Sequence, residues 1–97
     1  MIIQIKKEFQ NDFTTRLAGE RLREMIVSIS QNDFITLDFK DVKIASSSFF
    51  DEGIAKLALV GWTEKRIEEK IEIKNIFKMD RLLLEQVCEE RGLHLKK

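Results

Sequence analysis

Apolar positions recur along this chain with two periods, and the periods alternate. Ile3 and Ile5 are separated by Gln4 and followed by Lys6, the two-residue repeat of a short strand. A polar break follows at Gln10-Asn11-Asp12. Ala18, Leu22, Met25, Ile26 and Ile29 then fall on one face of a helix, with Arg16, Glu20, Arg21, Arg23 and Glu24 on the other. Thr14 or Thr15 can cap this helix, and Ser30-Gln31-Asn32-Asp33 closes it. Phe34-Ile35-Thr36-Leu37-Asp38-Phe39 is rich in aromatic and branched residues and is the strongest strand signal. Val42 and Ile44 carry an extended apolar pattern on to three serines.

After the serines, Phe50, Ile54, Leu57, Ala58 and Gly61 mark a second helical face, with Gly61 as its stop. Ile67, Ile71 and Ile73 lie among Glu68, Glu69, Lys70, Glu72 and Lys74, and the part from Lys70 to Lys74 reads as a strand with one wet face. Met79, Leu82, Leu83, Val87 and Glu90 follow helical spacing up to Gly92, and Leu93-His94-Leu95 is a last short strand or a docked tail. The alternation predicts an α/β fold: a mostly parallel or mixed sheet of three to four strands packed with three helices. The expected core is Ile3, Ile5, Leu22, Ile26, Ile35, Leu37, Phe39, Ile54, Leu57, Ile71, Ile73, Leu83 and Val87.

Length fits a single domain spanning residues 1–97. Charged residues make up 35% of the chain, above the usual ~25%, which implies a thoroughly charged surface. Their signs cancel, with 17 basic and 17 acidic residues, so the chain lacks the basic excess of a nucleic-acid binder. Lys96-Lys97 at the tail does not alter this. The first residues are too quickly charged for a signal peptide, and no apolar run approaches the ~20 residues that span a bilayer. A cytoplasmic protein is expected, with no membrane partner.

Catalytic chemistry finds little to work with. Cys88 and His94 stand alone, so neither a disulfide nor a metal site of three or four ligands is expected. Cys88 reads as a partly buried helix residue and His94 as a surface or tail residue. Glu68-Glu69 and Glu89-Glu90 are adjacent, and adjacent helix residues do not face each other. No Gly-rich phosphate loop is present. The expectation is a non-enzyme without cofactor. Trp62, just after the second helix, closes one end of the core or anchors an interface.

Ser46-Ser47-Ser48-Phe49-Phe50-Asp51 remains as the informative segment. It follows a strand and opens a helix, so one serine is expected to cap the helix. Ser48 and Asp51 have the spacing of a capping box. Three hydroxyls exceed what one cap requires, and a loop at the C-terminal end of a parallel strand is where open α/β sheets place ligands. A phosphate on this turn would add about −1.5 to −2 charge near the positive end of the helix dipole.

The run Leu37 to Leu57, with Asp38-Phe39, Val42, the serine cluster and Phe50-Asp51-Glu52, resembles the STAS-like domain family, small bacterial and archaeal proteins mostly of unassigned function. Phe13-Thr14-Thr15-Arg16, Gly19 and Asn75 fit its looser pattern. The wider group is similar to the anti-sigma factor antagonists and to cytoplasmic domains of sulfate transporters. In the antagonists an Asp-Ser-Ser-Gly turn is phosphorylated by a partner kinase. Ser46 falls on that Asp, Ser47 and Ser48 on the serines, and Phe49 on the Gly. The resemblance implies a regulatory module that docks on a protein partner, such as a kinase-like ATPase, through Ser46, Ser47, Ser48, Phe49, Asp51 and Glu52. It makes Ser48, then Ser47, the phosphorylation candidate. Two alternatives stay open: a self-associating adaptor, with the charged run Ile67–Ile76 as a sheet edge and hence a homo-oligomer, or a small anion- or nucleotide-binding domain.

Overall fold

The computed structural model describes residues 1–10, 12–13 and 15–95. Three short strands form one sheet: β1 (Ile2–Gln4), β2 (Ile35–Asp38) and β3 (Ile71–Lys74). They lie in the order β1-β2-β3 and both pairings are parallel. Ile2, Thr36 and Glu72 share one register row, and Gln4, Asp38 and Lys74 another. The helices are α1 (Ile5–Phe9), α2 (Arg16–Ile29), α3 (Ser47–Gly53), α4 (Glu64–Lys70) and α5 (Lys78–Glu89), with a 3-10 segment at Ala55–Val60. The predicted α/β class and parallel sheet hold, with three strands among the described residues. No described helix is long and apolar enough to cross a membrane.

Several elements differ from the periodic reading, each for a physical reason. Ile5 does not extend the first strand: it opens α1 and is buried there. The helix expected after the serines does not run unbroken to Gly61. It breaks at Ile54 (φ −124°) and continues as a 3-10 segment. Three residues per turn bring Ile54 and Leu57 onto one side, and both are buried. Gly61 then ends the segment in the left-handed conformation (φ 91°). The stretch before β3 forms α4, not strand: Thr63 accepts the Arg66 amide at 3.2 Å, and Trp62 and Ile67 occupy the positions of a hydrophobic staple. Both are buried, so Trp62 closes the core.

One face of the sheet carries Ile3, Ile35, Leu37 and Ile71 into the core. On the other, Ile2, Gln4, Glu72 and Lys74 are exposed. Thr36 is nonetheless buried because it sits in the central strand, where its hydroxyl donates to Glu72 at 3.3 Å. Of the expected core, Ile73 and Leu83 are only partly buried. The buried stripe of α5 is Asp80, Leu84, Val87 and Cys88, so Met79 and Leu82 face solvent. Leu93-His94-Leu95 is a docked tail without strand pairing, in which Leu93 is buried. For α2, Thr15 is the cap, accepting the Ala18 amide at 3.1 Å; Thr14 lies outside the described residues, as do Lys96 and Lys97.

The tightest joint is between α2 and α3. A Cβ on Gly19 would lie 2.7 Å from the Glu52 Cβ and 2.8 Å from the Phe49 carbonyl oxygen. Only a hydrogen fits there, which outweighs the roughly 0.5–1 kcal/mol that glycine costs inside a helix. Gly19→Ala is expected to destabilise the protein by about 1–3 kcal/mol in chemical denaturation, because the rigid backbone of α3 must move. Ser28→Ala, on the exposed side of α2, is expected to stay within about 0.5 kcal/mol.

Candidate functional site

The serine turn lies beyond the C-terminal end of β2, and a buried carboxylate from another helix holds it in place. Val42 and Ile44 are buried and anchor the loop that leaves β2. Asp80, in the first turn of α5, is 2% exposed. Its two oxygens accept the backbone amides of Ile44 at 2.7 Å and Ala45 at 2.9 Å. Ala45 is thereby kept in the left-handed region (φ 50°), which non-glycine residues rarely adopt. The chain then extends through Ser46 (φ −139°, ψ 115°) and enters α3.

The three serines divide their roles. Ser46 caps α3, its hydroxyl accepting the Phe49 amide at 3.3 Å. Ser47 and Ser48 are already helical, so the Ser48–Asp51 capping box expected from spacing does not form. Asp51 turns instead to Arg91, which grips it with two bonds of 2.9 and 3.0 Å. Ser47 is exposed and Ser48 half-buried. Both line an open groove of about 330 Å³ with Arg16, Asp51, Glu90 and Arg91 on its walls. Phe49 turns inward: it is 0% exposed, with its ring 5.6 Å from Phe9 and 6.0 Å from Phe50.

Charge around the turn is dense and paired. Glu52 is buried against α2 and takes Lys56 at 2.8 Å, Arg16 at 3.1 Å and Arg23 at 3.2 Å. Arg23 also donates to the Glu52 carbonyl. These cations, Lys56 first, hold the Glu52 carboxyl down from its ordinary 4.5 to about 2. The Arg91 hydrogen bonds likewise lower Asp51 and raise Arg91. Arg16 lies 3.7 Å from Asp51 as well, so one guanidinium bridges both acids. Of the six residues expected at a docking surface, Ser46, Ser47, Ser48 and Asp51 meet at the turn, whereas Phe49 and Glu52 face inward.

Periodicity alone missed Asp80, Arg16 and Arg91. Asp80 could have been found as the one acid on the 80/84/87/88 stripe of α5. The two arginines leave no such mark, because only the fold brings α2 and the C-terminal end of α5 to the same groove. Cys88 is buried, and burial, then the Asp51 charge, pushes its thiol up to about 12. His94 is exposed. Among the described residues no three His, Cys, Asp or Glu side chains come together as a metal site requires.

Because the Glu52 carboxyl titrates lower when folded, its contribution to stability is complete above about pH 4.5 and is lost as the pH falls towards about 2. Glu52→Gln is therefore expected to cost about 2 kcal/mol at neutral pH in urea denaturation. The gap between the two proteins should close as the pH falls from 4.5 to about 2.

Comparison with known proteins places the chain in a family. A family model described as a STAS-like domain of unknown function (DUF4325) matches residues 18–81. The chain belongs to that family. The matched span holds the serine turn, Glu52 and Asp80, but neither Arg16 nor Arg91. No curated protein and no solved structure gives a match.

Proposed function

We propose that this protein is a non-catalytic regulatory module that docks on a protein partner through the serine turn and α3, and that phosphorylation of Ser48, or of Ser47, switches the docking. The observation that supports this reading is the division of labour in the turn. Ser46 serves the fold, while Ser47 and Ser48 line a groove whose walls hold Arg16 and Arg91 together with Asp51 and Glu90. A phosphoserine there would carry about −1.5 to −2 charge. Guanidinium groups now shared with Asp51 and Glu52 could bind it. The fold would tolerate the group, while an acidic or apolar partner surface would be repelled. A kinase-like ATPase is the partner class that the family resemblance favours, and the cytoplasm is where such a partner would be met. A free anion or nucleotide finds less here: α3 has seven residues, and Ser46 already takes the Phe49 amide.

Tagged protein purified from its host would be compared as wild type, Ser48→Ala and Ser48→Glu. The same bound protein is expected with wild type and Ser48→Ala and is expected to be lost with Ser48→Glu. Equal capture by the two variants, at equal thermal stability, would contradict the switch.

A further inference from the structure

We infer that the free edge of β3 is a pairing surface for a second copy of this chain, joined antiparallel about a two-fold axis at Ile73. The inference goes beyond the partner reading and uses none of the residues of the serine groove. β3 is an outer strand, and among the described residues nothing pairs with its far side. The Lys74 carbonyl accepts the Phe39 amide at 2.9 Å, so the peptide groups of Lys74, and of Glu72 two residues earlier, turn towards β2. Those of Ile73 therefore point off the edge. Beside them runs an open groove of about 640 Å³ of mixed character, lined by apolar residues such as Ile71, Ile73 and Leu95 and by the charged Glu68, Glu72 and Arg81.

Charge selects the occupant and the register. With Ile73 opposite Ile73 of the second copy, the outward amide and carbonyl of each satisfy the other. Glu72 then stands opposite Lys74 of the second copy, and Lys74 opposite its Glu72. These are the non-hydrogen-bonded positions, where facing side chains come closest. A parallel, in-register pairing would set Glu72 against Glu72 and Lys74 against Lys74. Centring the antiparallel pair on Glu72 would again oppose like charges. The Glu-Ile-Lys pattern thus fits its own copy in one closed arrangement and resists open-ended stacking. The helical start at Glu64–Lys70 confines this edge to Ile71–Lys74 rather than the longer run suggested by sequence.

The test is sedimentation of the full chain over a wide range of concentration. Wild type is expected to show a monomer–dimer equilibrium. Glu72→Lys alone and Lys74→Glu alone each oppose like charges at both pairs, and each is expected to weaken dimerisation roughly tenfold or more. An equimolar mixture of the two single variants restores opposite charges across the axis and is expected to dimerise about as well as wild type. Circular dichroism confirms that each is folded, and the double exchange Glu72→Lys with Lys74→Glu provides an independent restoring arm. A wild type that is monomeric throughout would overturn the inference. So would a dimer whose affinity ignores the single reversals, or single variants that stay monomeric when mixed.

Discussion

Asp80 reaches from the first turn of α5 into the loop beyond β2, and there its carboxylate accepts two consecutive backbone amides, those of Ile44 and Ala45. Hydrogen bonds of this charged kind contribute about 1.5–3 kcal/mol each, and an unpaired carboxylate at this depth would be costly. The pair of bonds therefore fixes the loop rather than merely decorating it. Ala45 is held left-handed, Ser46 follows extended, and the helix must begin at Ser47. With that start, Phe49 and Phe50 point into the core and Ser47 and Ser48 line the surface groove. A cap placed one residue later would rotate a different set of side chains outward.

The second joint, between α2 and α3, carries the consequence across the fold. Gly19 lets the two helices touch, and the contact buries Glu52 within reach of three cations. The same contact sets Arg16 beside Asp51, where Arg91 arrives from the C-terminal end of α5. The arginine walls of the serine groove are thus products of packing, not of local sequence. On the far side of the molecule, three parallel strands are too few to hide both faces and both edges. Among the described residues one face and the β3 edge are left uncovered, with Glu72 and Lys74 exposed there.

Much of this was legible in advance, and the failures have clear causes. The alternation of periods gave α2, β2, β3 and α5 and the parallel sheet, because each long segment buries one continuous stripe. The serine turn stood out because three hydroxyls at a strand end exceed a cap. Asp38 and Asn75, both carried by the family resemblance, meet at 2.9 Å where β2 and β3 end, with Asn75 in the left-handed conformation. The misses came where one apolar residue does the work of a face. Ile67 alone anchors α4 amid charge, so its helix read as a strand approach. Along α5, the adjacent leucines Leu82, Leu83 and Leu84 fit two stripes, and only a buried acid at position 80 distinguishes them. The 3-10 segment was hidden because Ile54 and Leu57 also satisfy an α-helical pattern.

Amide hydrogen exchange in Asp80→Asn tests the central claim most directly, since the carboxamide keeps the size of the side chain but offers one acceptor oxygen in place of two. Protection at Ile44, Ala45 and the capped Phe49 amide is expected to fall, while the amides of β2 and of the middle of α2 stay protected as in wild type. Unchanged protection at those three positions would contradict the account, because the serine turn would then hold its shape without the carboxylate assigned to it.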